Sequence, residues 1–192
     1  MPNYFDFEVF ILETEPRIWR RFLVPEKATF AKLHEAIQHA FGWEDCHLWQ
    51  FSALAGKSGP SHEEPIAGVP EISGSGDPVP DAKKVKLVSY FKDSRAGQQL
   101  LYRYDFGDCW DHEVKLHGIV SDKLTFHRRL LDGDRACPPE DCGGIDGYQR
   151  MVHFVQTGKD LWDDDPEGLK EWIGNWKPDN FSLKTAKSRF RR

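Results

Sequence analysis

Two stretches of this chain concentrate residue types that do chemistry: Tyr104-Asp105-Phe106-Gly107-Asp108-Cys109-Trp110-Asp111-His112 and Cys137-Pro138-Pro139-Glu140-Asp141-Cys142-Gly143-Gly144. In the first, Asp105 and Asp108 flank a glycine at a strand end, and His112 opens the return strand. Across a tight hairpin these three side chains could converge. Carboxylate plus imidazole is a ligand set for a hard or borderline divalent cation. It is equally a set for general acid–base work. The plainer alternative is turn chemistry, since Asp bonds its own backbone and Gly takes positive φ. His112, sharing a strand face with Val114 and Leu116, is then a core histidine.

In the second stretch two prolines stiffen the chain, two acids follow, and a glycine pair leads through Gly147-Tyr148 into a helix. Free N–H groups at that helix start could cradle an anion. Alternatively Glu140 and Asp141 face a metal or a cationic partner, or the segment is a rigid connector. Cys137 and Cys142 have four residues between them, and Cys46 and Cys109 show no partner spacing. Zinc pairs are usually closer, so the thiols do not announce a zinc site. No Gly-x-Ser-x-Gly elbow and no complete Gly-x4-Gly-Lys-Ser/Thr phosphate loop is present, since Gly56-Lys57-Ser58 has Phe51 where the first glycine should stand, which leaves nucleophilic catalysis and nucleotide hydrolysis without a motif.

A third feature is Ile18-Trp19-Arg20-Arg21, a strand with an aromatic beside a basic pair. Arg binds phosphate bidentately and Trp stacks on bases, so Trp19, Arg20 and Arg21 are candidate nucleic-acid contacts. The C-terminal cations Lys184, Lys187, Arg189, Arg191 and Arg192 would extend that surface. Against it stands a net charge of −5, which puts any phosphate contact on a local patch. The bland alternative buries Trp19, pairs the arginines with acids, and lets the tail cations suit a helix dipole. The acidic run Asp160, Asp163, Asp164, Asp165 and Glu167 reads as a solvated helix start.

The elements that must position these residues follow from periodicity. Phe5, Phe7, Val9 and Ile11 alternate with acids, a half-buried strand, and Ile18 to Val24 makes its hairpin partner. Thr29 caps a helix that ends at Gly42, with Phe30, Leu33, Ile37 and Phe41 on one stripe. Leu48–Leu54, Leu100–Phe106 and Glu113–Val120 read as strands, and Val85–Tyr90 as a short ordered segment. Residues 55–81 hold five Gly and five Pro in 27 positions, a density that predicts a long loop with no regular element. From about residue 147 the chain reads as helical, with Asp165-Pro166 starting one helix and Ser182 preceding the last. The order predicts an α+β fold with a β-grasp-like (ubiquitin-like) mixed sheet, one packed helix, an extra strand and a C-terminal helical extension. We read residues 1–192 as a single domain. A hydrophobic content of 39% excludes disorder. With no leader pattern and no apolar run of membrane length, a cytoplasmic protein without membrane contact is expected.

These motifs resemble the plasmid pRiA4b ORF-three-like family. Its hallmarks correspond here to Trp19-Arg20-Arg21, Leu33-His34, Gly42-Trp43, His47, Tyr104 to Asp108, Trp110, His112, Cys137 to Asp141, Gly143-Gly144 and Gly147-Tyr148. One departure is Cys109, where relatives often carry Gly. The resemblance implies an accessory or binding module carried on plasmids or beside mobile elements. It also implies one shared polar cleft of His47, Asp105, Asp108, Trp110, His112, Glu140, Asp141 and Tyr148, formed where the two loops meet. A protein partner or a small polar ligand is the expected occupant. The rival expectation is a metal-dependent hydrolase or nuclease whose divalent ion sits on Asp105, Asp108, His112 and Glu140. The third is nucleic-acid binding through Trp19, Arg20, Arg21 and the tail.

Overall fold

The structure is a computed structural model that describes residues 1–54, 64–70, 79–91, 96–162 and 164–190. Asp163, Arg191 and Arg192 of the charged runs above lie outside the described residues. Seven strands form one sheet: β1 (Asn3–Ile11), β2 (Trp19–Pro25), β3 (Trp49–Ala53), β4 (Pro65–Gly68), β5 (Gln99–Tyr104), β6 (Trp110–Ser121) and β7 (Arg129–Asp134). Their order across the sheet is β4-β3-β5-β6-β1-β2-β7. The helices are α1 (Phe30–Phe41), α2 (Leu87–Tyr90), α3 (Gly144–Thr157), α4 (Pro166–Ile173) and α5 (Leu183–Phe190).

Every strand pair is antiparallel. The sheet is therefore not mixed, contrary to expectation. The reason is that β5 and β6 form a hairpin whose second strand returns against β1, so the central pairing β1–β6 is also antiparallel. The coarser expectation of an α+β protein stands, and the described residues form a large antiparallel sheet and five helices.

Two strands escaped the sequence reading. β4 falls inside the Gly/Pro-rich stretch, with Pro65 as its first residue and β3 as its one strand partner among the described residues, its outer side making a single bridge from Gly68 to Asp81. An outer strand tolerates proline because one side of its ladder is unpaired. β7, Arg-Leu-Leu-Asp-Gly-Asp, buries only Leu130 and is the other edge, paired to β2 through a bulge. Neither carries the alternation that marks a central strand.

α1 forms as its sequence demands. The Thr29 side chain accepts from the Lys32 N–H, and Gly42 closes the helix at φ +94°. Its stripe of Phe30, Leu33, Ile37 and Phe41 lies on the sheet, with Phe30 5.1 Å from Phe51 and Phe41 5.3 Å from His112, centroid to centroid. β6 alternates strictly, so Trp110, His112, Val114 and Leu116 all point into this core while Asp111, Glu113 and Lys115 point out. A smaller cluster of Met151, Leu169 and Ile173 packs α3 against α4. No helix among the described residues is long and apolar enough to cross a membrane.

Candidate metal centre

Three loops meet at one end of the sheet: the segment after α1 (residues 43–48), the β5–β6 connection (105–109) and the run into α3 (137–143). Indole donors hold the third loop in place. Trp43 Nε1–H donates to the Pro138 carbonyl at 3.0 Å, and Trp176 Nε1–H donates to the Cys137 carbonyl at 2.9 Å. The Trp43 ring stacks on Tyr104, centroids 5.0 Å apart. The Asp108 carboxylate accepts from the Gly143 N–H at 3.0 Å and so joins the second loop to the third.

Inside this frame His47 is central. Its Nε2 lies 2.9 Å from Asp141 Oδ1 and 3.7 Å from Asp105 Oδ2. Although near in distance, Nε2 is not aligned for a hydrogen bond with either oxygen, and it is sealed from solvent. Asp105 is itself buried, and its other oxygen accepts from the Gly107 N–H at 2.8 Å. One ligand atom from each of His47, Asp105 and Asp141 lies within 4.8 Å of the others, and the same holds for Cys46, His47 and Glu140. Glu140 Oε1 accepts from the Glu44 N–H at 2.8 Å and from the Tyr104 hydroxyl at 3.0 Å, while its Oε2 is buried without a hydrogen-bond partner among the described residues. Burial, the Cys46 contact and the Glu140 carboxylate hold the Tyr104 phenol far above its ordinary range. It remains the donor to Glu140, and its oxygen accepts from the Cys46 N–H.

The backbone at this end adopts an uncommon conformation. Asp45, Asp105, Cys109 and Asp141 all have φ between +55° and +56°, a left-handed region where Asp is tolerated and most side chains are not. Cys109 thus sits at a position whose backbone geometry favours glycine. Such residues persist where the surroundings over-determine them, and they gather at functional sites.

The remaining sequence candidates lie elsewhere. His112 is fully buried, with Nδ1 at 3.1 Å from the Tyr102 carbonyl and 3.0 Å from the Trp110 carbonyl. Burial pushes its pKa down to about 4. It is a neutral core histidine and leaves both the cleft and the expected ligand set. Trp110 shares that inward face and is likewise core. Asp108 serves the Gly143 N–H. Tyr148 is buried with its ring edge-on to Trp176. Of the expected ligands, Asp105 joins the first triad and Glu140 the second.

The nucleic-acid candidates are also committed. Arg20 is 1% exposed, and its guanidinium donates to the carbonyls of Trp19, Asp134, Arg135 and Ala40. Arg21 forms a bidentate pair with Asp6 at 2.8–3.0 Å, and Trp19 is half-buried. Arg189 donates to the His39 and Ala40 carbonyls, capping α1. Arg20 and Arg189 share a reason, since α1 ends beside β2 with carbonyls that need donors, while Arg21 meets Asp6 of the neighbouring strand β1 because β2 lies inside the sheet. Cys46 was missed as a candidate. Its signal was the run Glu44-Asp45-Cys46-His47 directly after the helix-closing Gly42.

Fold and site together define an α+β protein with a seven-stranded antiparallel sheet and a His–carboxylate cluster held by three loops. The chain belongs to the family described as plasmid pRiA4b ORF-3-like protein, whose model matches residues 3–185. It is similar to the uncharacterized protein y4hQ of Sinorhizobium fredii, 33% identical over 84% of this chain and 76% of that one. It is also similar to the crystal structure of MM3350, a protein of unknown function from Methanosarcina mazei Go1. That match has 34% identity and a TM-score of 0.77, covering 96% of this chain and 98% of the other.

Proposed function

We propose that this protein is a binding module organised by one divalent cation, held by His47, Asp105 and Asp141 with Cys46 and Glu140 beside it. The observation that carries this reading is the convergence of three ligand atoms from three separate loops within 4.8 Å, around an imidazole nitrogen that is buried and unaligned with either neighbour. Nitrogen and carboxylate donors with a thiol alongside suit a borderline ion such as Zn²⁺ or Mn²⁺. An ion there would satisfy Nε2 and offset the cost of crowding two carboxylates. We also read the β1–β2 hairpin with α1 packed across it as the β-grasp-like part of the fold, enlarged by further strands and by α3 to α5.

The test is metal content of the purified protein, with melting measured in EDTA and after adding Zn²⁺, Mn²⁺ or Mg²⁺. A stoichiometric ion is expected, with a melting rise that His47→Ala and Asp141→Asn abolish. Absence of bound metal and of any shift on addition would overturn the reading. Hydrolysis is the second reading, favoured by one observation: the Asp141 side chain is 71% exposed, so an ion there would face solvent and keep room for water. A metal-dependent turnover of phosphodiester or ester substrates, lost in Asp105→Asn, would establish it.

A further inference from the structure

The far side of α1 carries a feature that the cation site does not use. A cavity of about 780 Å³ opens between the N-terminal half of α1 and the β6–β7 connection, lined among others by Lys27, Lys32, Arg128 and Arg129. A smaller one of about 180 Å³ shares Arg129 with it and adds Lys187. A third, of about 540 Å³, shares Lys187 and adds Lys184. Arg129 is common to the first two depressions and Lys187 to the last two, so the three neighbour one another in a track with six cations along it. Glu35 is the one carboxylate in these linings, although Asp122 pairs with Arg129 from outside at 2.6 Å. This stands out on a chain of net charge −5.

Arg128 is the informative residue. Its side chain is only 14% exposed, and the one carboxylate paired with it among the described residues, Glu35, is 3.9 Å away. That carboxylate is already engaged by Lys32 Nζ at 2.8 Å. The guanidinium Nε–H donates to the Phe190 carbonyl at 2.6 Å, which leaves the terminal nitrogens without a hydrogen bond among the described residues. Beyond that shared carboxylate, the guanidinium has the Phe190 ring 5.5 Å from its carbon, so this recessed cation retains hydrogen-bonding capacity for an anion. The wall is also preformed. Tyr4 stacks on Phe126 at 3.9 Å, its hydroxyl accepts from the Phe126 N–H, and Arg129 covers the ring's other face.

We propose that this track binds single-stranded nucleic acid through its phosphates, without reading sequence. Recessed arginine favours a flexible phosphodiester chain, which can enter a groove, over a membrane surface, which meets only protruding cations. Trp19, Arg20 and Arg21 play no part, because their groups are committed within the sheet. The site is separate from the cation cluster, so binding persists in EDTA.

The experiment is fluorescence anisotropy of a labelled oligothymidylate, in EDTA, from 50 to 200 mM salt. With roughly four phosphate contacts on a single strand, affinity should fall about 50-fold across that range. Lys27→Gln/Lys32→Gln should weaken binding about tenfold and flatten the salt dependence. Glu35→Gln, which removes the carboxylate from the groove, should tighten binding several-fold. That variant keeps the proposal testable even if the double variant melts early. No binding at 50 mM salt, or affinity indifferent to all these changes, would overturn it. Sedimentation with phosphatidylserine vesicles in place of oligonucleotide binding would overturn it as well, in favour of a membrane surface.

Discussion

The Asp108 carboxylate accepts the Gly143 N–H at 3.0 Å, so a residue that reads as a metal ligand in sequence is the tie between two loops. Asp108→Ala should cost about 1–2 kcal/mol, the scale of losing a hydrogen bond to a charged group. Asp108→Asn, which keeps an acceptor oxygen, should cost less than half of that. Neither should remove a cation bound at His47, because Asp108 contributes no atom to that cluster. Chemical denaturation gives the stability change, and metal analysis of the same samples separates the two roles. Loss of metal in Asp108→Asn would return this carboxylate to the ligand set.

The next residue along, Gly144, has φ +64°, and a Cβ there would lie 2.5 Å from the Asp108 backbone oxygen. Gly144→Ala therefore combines left-handed strain with a clash against backbone that cannot swing away. We expect a loss of about 2–4 kcal/mol. Gly158 makes the control. It closes α3 at φ +72° with nothing within 4 Å of its Cβ position, so Gly158→Ala should cost only about 1 kcal/mol. Equal costs at the two sites would show that close packing of the loops contributes nothing.

These two glycines show what a sequence discloses and what it withholds. Alternation in Phe5 to Ile11, and the stripe from Phe30 to Phe41 between Thr29 and Gly42, are local patterns, and each produced the element it announced. β4 and β7 are edges, and edge strands need neither alternation nor freedom from proline, so no local signal marked them. Within the site, Asp105, Glu140 and Asp141 were legible as turn-borne acids. Their convergence on His47 depends on three loops distant in sequence. His112 and Arg20 were misplaced for one reason: polar type suggests exposure, yet backbone carbonyls can satisfy an imidazole N–H or a guanidinium inside a core. On β6 the alternation with Val114 and Leu116 did place His112 inward, and that signal outranks residue type.

Arg20 provides a direct test of that account. It donates to carbonyls from β2, the end of α1, the last residue of β7 and the residue after it, and its guanidinium lies 4.0 Å over the Phe181 ring. Arg20→Met should keep much of the volume but remove the guanidinium donor from those carbonyls, of which Ala40 alone keeps a second side-chain donor, Arg189. A destabilisation of about 3 kcal/mol or more is expected. Burial lowers the pKa of Arg20 to about 10, so the group stays charged at neutral pH. Arg20→Lys should rescue little, because one ammonium cannot match the planar fork. Oligonucleotide affinity of the folded fraction should be unchanged. A stable Arg20→Met protein with weakened oligonucleotide binding would make Arg20 a contact after all.

The pH dependence of stability should be dominated at mildly acidic pH by His112. Its imidazole sits among Phe41, Trp43 and Tyr102, with Nε2 lacking a hydrogen-bond partner among the described residues. Burial holds its folded pKa at about 4, against an ordinary value of about 6.5 in the unfolded chain. Between those two values the unfolded state binds a proton that the folded state refuses. This contribution to stability is therefore fully present above pH 6.5 and is lost as pH falls toward 4. It should amount to about 2–3 kcal/mol between pH 7 and pH 4.5. His34, buried between the Tyr102 hydroxyl and Asp45, has its pKa lowered by burial and adds in the same direction. Urea denaturation of wild type and His112→Gln at the two pH values isolates the term. The variant should be less stable at pH 7, since glutamine fills the site poorly, yet lose less on acidification. Parallel losses in the two proteins would mean that His112 is already protonated, or solvated, in the folded state.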